Sequence, residues 1–320
     1  MQEIPSPASC PERSRAQSKP RLPERHMLGR TGVALAVGLL KLLALIPYGI
    51  TARFGDGLGW LLYQVPSHRK RIVHINLGLC FPEWTPERRE EVAQKHFRHA
   101  IRSYVERSVQ WFGSAKKLEK LIQVESEVDL LDPDMPPTLL LGFHFVAIEA
   151  ASVWINYSLH RPCGSLYQPM SNKTLDDIAK KQRGRFDAEM ASRADSARIV
   201  LRWLRDRKPV MLGADMDYGM RNSTFVPFFG VEACTLTAVG RLAKTGRAQI
   251  MPFVGEVLPN YQGYRLKVFK PWDNYPTGDD AADARRMNAF LEEQVRLMPE
   301  QYYWVHKRFK TRPPGEPGFY

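Results

Sequence analysis

Cysteine is scarce. Four occur in 320 residues, at positions 10, 80, 163 and 234, and no two form a C-x-x-C pair. This scatter argues against a disulfide framework or a cysteine-based structural zinc, and makes a reducing compartment the default. Other signatures are missing as well. Without G-x-S-x-G there is no candidate nucleophile elbow, and without H-E-x-x-H or three well-spaced ligands no metal is expected. A Walker-type phosphate loop is absent. The string "GDGLGW" (55–60) lacks the last glycine and the preceding strand of a dinucleotide loop, so small residues permitting close helix or lipid approach is the simpler account. Acidic residues are in deficit, 34 against 46 lysines and arginines, for a net charge of +12. An anionic partner follows, whether nucleic acid, an anionic membrane surface or an acidic carrier protein.

Long apolar runs are also few, and mean hydropathy is −0.36. The exception is "VALAVGLLKLLALIPYGI" (33–50), eighteen positions with Lys41 as the one charge. That length sits at the lower limit for crossing a bilayer, and a mid-span lysine costs about 2.5–3.5 kcal/mol, partly relieved by snorkelling. A buried core helix and a helix lying in the interface are the alternatives to a span. Basic residues on both sides (Arg25 and Arg30, then Arg53 and His68–Arg71) favour membrane attachment. The preceding residues 1–27, rich in Pro, Ser and Arg, read as a disordered basic arm. Residues 28–66 read as a membrane anchor with an interfacial segment, and 67–320 as the main domain.

In "TPERREEVAQKHFRHAIRSYVERSVQWFG" (85–113), Thr85 is an N-cap, Pro86 opens the helix, and apolar residues recur at helical spacing to Gly113. His96 and His99 read as solvated. From 138 onward, short apolar strands (138–143, 164–167, 209–214, 248–254, 264–269) alternate with helical pieces (around 146–157, 173–187, 194–206, 235–245, 280–298). This alternation predicts an α/β fold, a central mixed sheet flanked by helices. Such sheets place their sites at the carboxyl ends of strands.

His144, in "LLLGFHFVAIEA" (139–150), falls at such an end, and Glu149 follows five positions later. Neighbours on one helix face are three or four apart, so the two pair only if His144 sits in the strand-to-helix turn. Glu149 would then fix one imidazole nitrogen and leave the other free as a base. A lone histidine bonded at a strand end is the plainer alternative. Asp215 and Asp217 follow the 209–214 strand, with Arg221 beyond; Arg183 and Arg185 lie in a charged helical stretch; Lys307, Arg308, Lys310 and Arg312 stand among aromatics near the C-terminus.

The ordered set "LIPYG", "NLGLCFPE" (76–83), "GFHFVAIE", "DMDYG" with "FVPFFG", and "YYWVHKRFKTRPPGEP" resembles the lipid A biosynthesis late acyltransferases of Gram-negative bacteria, from about residue 33 to the C-terminus. The resemblance implies a glycerolipid-acyltransferase-like fold carrying an N-terminal membrane-anchoring helix, with 67–320 as the acyltransferase domain. It implies transfer of a fatty acyl chain from acyl carrier protein to a hydroxyl of a 3-hydroxyacyl chain on a lipid A precursor. No cofactor is implied. The setting it implies is the inner membrane, with the site facing the cytoplasm. It implies His144 as general base, Glu149 as its orienting acid, and Arg183 and Asp215 as further site residues. Arg185, Arg221, Lys307, Arg308, Lys310 and Arg312 are candidate contacts to the anionic partners. Two positions depart from the family pattern: Gln168 where arginine is usual and Lys173 where proline is usual.

Two rivals remain. One is a glycerolipid or other membrane-lipid acyltransferase of the same fold. The other is a basic nucleic-acid-binding protein, which ranks far lower because the basic residues are dispersed and no helix-turn-helix or similar module is present. Nucleic acid is therefore not an expected partner.

Overall fold

Proline decides how the chain begins. The computed structural model describes residues 29–193 and 196–320, so the arm expected over 1–27 lies outside the described residues. The apolar run expected to form one anchoring helix is two: α1 (Arg30–Leu45) and α2 (Tyr48–Tyr63), separated by extended backbone at Ile46 and Pro47. Proline lacks the N–H and pushes the residue before it out of helical conformation, so the ladder stops there. Each piece has 16 residues, about 24 Å at 1.5 Å per residue, short of a hydrocarbon core of roughly 30 Å. Among the described residues no helix is long and apolar enough to cross a membrane.

Next come α3 (His68–Cys80), capped by Ser67, and α4 (Pro86–Phe112), which starts as its sequence predicts: Thr85 accepts from the Arg88 N–H and Pro86 opens the first turn. Thr51, Ala52, Gly55, Asp56 and Gly59 are the buried side of α2. A Cβ on Gly55 would stand 2.9 Å from Arg102 Cα, and one on Gly59 2.6 Å from Arg98 Cα. The "GDGLGW" glycines thus serve a close crossing of α2 over α4. A buried cluster locks this crossing, with Tyr48 Oη donating to Glu106 (2.8 Å) and Arg102 donating to Glu106 (2.6 Å) and to Tyr48 Oη (2.7 Å).

The rest of the chain runs α5 (Ala115–Leu121), β1 (Ile122–Ser126), β2 (Thr138–Gly142), α6 (Ile148–Ser158), β3 (Cys163–Tyr167), α7 (Lys173–Arg183), β4 (Ala188–Ser192), α8 (Ser196–Arg205), β5 (Val210–Gly213), β6 (Ser223–Phe228), β7 (Val231–Leu236), α9 (Ala238–Gly246), β8 (Gln249–Val257), β9 (Tyr264–Val268) and α10 (Asp280–Leu297). Seven strands form one sheet in the order β1-β9-β8-β2-β5-β3-β4, and β6 and β7 form a separate antiparallel pair. Only β8 and β9 pair antiparallel within the large sheet, so it is mixed, as the alternation predicts.

Period-two alternation divides the core. Leu139, Leu141, Val210, Leu212 and Ile250 face α8, α9 and α10, whereas Leu140, Met211, Met251 and Leu266 face α6 and the start of α2. Both faces are covered, which is why β2 is buried at all five positions. Because β2, β3, β4, β5 and β8 are parallel, their carboxyl ends share one edge. His96, expected in solvent, is fully buried, with Nδ1 3.1 Å from the Glu300 carbonyl. It lies on the core-facing side of α4 beside Phe97.

Candidate active site

The site begins with a register. Gly142, the last residue of β2, pairs with Gly213, the last of β5. His144 and Asp215 each lie two residues beyond that pair, so the two strands deliver them side by side. His144 Nδ1 is 2.6 Å from Asp215 Oδ1, and the His144 backbone N–H donates to Asp215 Oδ2 at 3.1 Å. One carboxylate thus holds both ring and backbone of the histidine. An anionic acceptor at Nδ1 places the imidazole proton there and leaves Nε2 with its lone pair. Asp215 is 1% exposed. Burial alone would raise its pKa, but the imidazole and the hydrogen bonds outweigh burial and hold the carboxyl below its ordinary value.

The turn around His144 is fixed from the far end of the chain. Tyr303 N–H donates to the His144 carbonyl at 2.9 Å, Val146 N–H donates to the Gln301 carbonyl at 2.9 Å, and Phe145 bridges Tyr302. Phe143 and Phe145 on either side are buried, while the His144 side chain keeps 26% exposure. Beneath the ring lies Gly213, where a Cβ would stand 2.7 Å from His144 Cε1. Gly213→Ala should therefore push the imidazole off Asp215. We expect kcat to fall about 100-fold, the cost typical of an ångström-scale misplacement, together with a lowered melting temperature, because buried Asp215 loses the ring as a partner. Steady-state kinetics beside calorimetry check this, and a parental kcat would contradict it.

Glu149 does not meet the imidazole, and this corrects the expected pairing. It lies in the first turn of α6, and its carboxylate faces α7 and α4. Arg183 grips it through Nε (2.9 and 3.1 Å) and Nη2 (2.6 Å), and Trp111 Nε1 donates at 2.8 Å. Burial raises the Glu149 pKa, but Arg183, Arg107 and the indole N–H overcome it and bring the value to about 2. The carboxylate next to His144 is Asp215 because adjacent strands in register reach it, whereas the helix carrying Glu149 turns away. Nη1 of Arg183 has no protein partner among the described residues.

Three of the expected anionic contacts are already engaged. Arg185 donates from Nη1 to the Trp111 carbonyl (2.6 Å) and from Nη2 to that of Gly113 (2.7 Å), closing the carboxyl end of α4 where unsatisfied carbonyls collect. Arg308 is 1% exposed, bonded to the Cys234 carbonyl, Thr235 Oγ1 and Asn288 Oδ1. Arg312 holds the Glu232 carbonyl and Glu316. Of the three only Arg308 is buried, while Arg185 and Arg312 stay half-buried. Arg221 and Lys310 are exposed, and Lys307 is half-buried against the Tyr320 ring. Asp217 ties its loop to the C-terminal segment by accepting from Thr311 N–H (2.6 Å) and Thr311 Oγ1 (2.8 Å).

The sequence reading missed two site residues. Trp111 looks like core at the end of an amphipathic helix, and nothing in the string marks its indole N–H. Gly213 did carry a signal: "GFH" (142–144) and "GAD" (213–215) repeat one pattern, a glycine two residues before a polar group at a strand end.

The profile of the bacterial lipid A biosynthesis acyltransferases matches residues 18–311. The chain belongs to that family. It is 33% identical over 289 residues to the lipid A biosynthesis lauroyltransferase of Escherichia coli (strain K12), covering 89% of this chain and 94% of the relative. To the palmitoleoyltransferase of the same strain it is 30% identical, covering 89% and 92%. The myristoyltransferase is also 30% identical, over 89% and 88%. The protein is a lipid A biosynthesis acyltransferase.

Proposed function

We propose that the enzyme transfers a fatty acyl chain from acyl carrier protein to a hydroxyl of a 3-hydroxyacyl chain on a lipid A precursor, at the cytoplasmic face of the inner membrane. The observation that carries the mechanism is the imidazole held at Nδ1 by a buried carboxylate on a partly exposed ring, with Nε2 bonded to nothing among the described residues. His144 Nε2 takes the proton of the acceptor hydroxyl as its oxygen attacks the thioester carbonyl. Asp215 orients the ring and stabilises the imidazolium. The C–S bond breaks as the tetrahedral intermediate collapses, and the imidazolium returns the proton to the departing thiolate. A thioester is already activated, so a base, positioning and charge stabilisation suffice. Arg183, held by Glu149 and Trp111, offers its uncommitted Nη1 to the negative charge growing on the carbonyl oxygen.

The test is purified enzyme in mixed micelles with a lipid A precursor and either acyl carrier protein or coenzyme A as acyl donor. On this reading carrier-bound acyl chains transfer at least tenfold more efficiently in kcat/KM. Equal use of both donors, or acylation of glycerol phosphate in preference to the lipid A precursor, would overturn it.

Membrane attachment is proposed as in-plane rather than spanning. Leu35, Leu39, Leu42 and Leu45 recur at helical spacing on the exposed side of α1, and Ile50, Phe54 and Leu61 do so on α2, with Val65 exposed just after it. Arg53 and Lys41 are exposed among them, which suits anionic headgroups. Replacing the four α1 leucines by serine should move most of the protein from vesicle-bound to free in co-sedimentation with anionic vesicles, while the melting curve stays near parental. Unchanged sedimentation of the quadruple variant would contradict this placement.

A further inference from the structure

Among the described residues one cation at the strand-end edge has no carboxylate partner. Arg193 immediately follows β4, whose carboxyl end lies on the same edge as those of β2 and β5. Its guanidinium carbon sits 3.3 Å from the centroid of the Tyr218 ring. Tyr218 is fixed in turn, because its hydroxyl donates to the Gly213 carbonyl at 3.0 Å, and Gly213 is the floor beneath His144. A short physical chain therefore joins the imidazole to the guanidinium: His144 over Gly213, Gly213 bonded to Tyr218, Tyr218 stacked on Arg193.

Strand order shows why the stacking matters. β4 stands three places from β2 in the sheet, about 14 Å at the usual strand spacing. Stacking on Tyr218 draws the Arg193 head group back toward the end of β5. Neither carboxylate of the intervening loop neutralises it, since Asp215 is engaged by His144 and Asp217 by Thr311 and Gly219. Among the described residues Arg193 forms no ion pair. An arginine held by its flat face keeps its edge N–H donors outward, the geometry suited to a phosphate.

We propose that Arg193 is an anion-recognising residue of this site, binding a phosphate group carried by a substrate. The proposal rests on the acyl-transfer reading for the identity of the substrates. Two sources share the chemistry: the phosphodiester that joins a carrier protein to its prosthetic arm, and a phosphate on the acceptor sugar. Arg193 selects and positions, and it takes no part in proton transfer.

The experiment is titration calorimetry on the full-length protein in detergent, without turnover. Four probes are used: holo and apo carrier protein, and phosphorylated and dephosphorylated lipid A precursor. A charge-assisted contact of this kind corresponds to about a 10- to 100-fold change in Kd. For Arg193→Ala, Kd should rise by that factor for holo carrier alone or for phosphorylated precursor alone, and the affected pair identifies the source. The same variant should lose the parent's preference for the phosphorylated member of that pair. Arg193→Lys, which keeps the charge and loses the stack, should recover part of the affinity, whereas Arg193→Gln should not. All four Kd values within twofold of parent in folded Arg193→Ala would overturn the proposal. So would equal weakening by Arg193→Lys and Arg193→Gln, the pattern of a structural role. Because binding is measured without chemistry, failure of the acyl-transfer reading shows separately, as absent turnover by the parent.

Discussion

His144→Ala is expected to lose about 10²- to 10⁴-fold in kcat, the usual contribution of a positioned general base. It should also lose stability at neutral pH. Asp215 is 1% exposed, and the His144 ring and backbone N–H are its partners. Removing the ring strands a buried carboxylate, at about 1–3 kcal/mol. Asp215→Asn should cost about 10³- to 10⁴-fold in kcat, because an amide can donate to Nδ1 and drive the ring proton to Nε2, where the base is needed. The double variant His144→Ala/Asp215→Asn separates these effects. Its activity should be no lower than that of His144→Ala alone, as for residues acting as a unit, while its melting temperature recovers. Additive losses in rate would show that Asp215 does not act through the imidazole. Kinetics and calorimetry on the three variants decide it.

Glu149→Gln should have the second largest effect. It leaves Arg183 facing a neutral group, frees its side chain, and should reduce kcat about 10²- to 10³-fold by misplacing the charge stabiliser. Breaking a buried pair by removing one partner costs about 3 kcal/mol. The pH dependence is specific. The pKa of Glu149 in the folded protein is about 2, below its value in the unfolded chain. Its contribution is therefore complete above the ordinary carboxylate range and drains away as pH falls toward about 2. The stability gap between parent and Glu149→Gln should be full at pH 6 and shrink steadily below pH 4.5. Urea titrations across that range would show it, and a gap constant from pH 6 to pH 3 would contradict the ion pair. If Glu149 instead oriented the imidazole, Arg183→Lys would leave kcat nearly untouched; here it should fall with Glu149→Gln.

Much of the frame was legible. Apolar runs broken by helical stretches located β2, β3, β5 and β8 to within a few residues, because strands buried on both faces are nearly continuous apolar text, and β9 showed through the alternation of its YRLKV. β4 escaped because "AEMAS" (188–192) reads as helix by propensity and becomes a strand only by pairing with β3. β1 escaped for a related reason: four of its five residues are exposed at the sheet edge. The break at Pro47 was written in the sequence and outweighed by the apolar run around it.

The site was legible in its residues and not in its pairings. His144 lies beside Asp215 and Glu149 beside Arg183, but spacing along the chain favoured His144 with Glu149, five residues apart. The actual partner is 71 residues away and is delivered by the β2–β5 register, which no local pattern encodes. The basic C-terminal segment shows the same limit. Arg308 and Lys310 look alike in the string, yet one is buried against β7 and α10 and the other faces solvent.

The most direct measurement is mass spectrometry of lipid A from cells lacking the gene and complemented in turn with the parent, His144→Ala and Asp215→Asn at matched expression. The parent should restore a species heavier by one acyl chain, and both variants should leave the lighter, under-acylated species. Full restoration of the heavier species by His144→Ala, or lipid A that is unchanged whether or not the gene is present, would contradict the account.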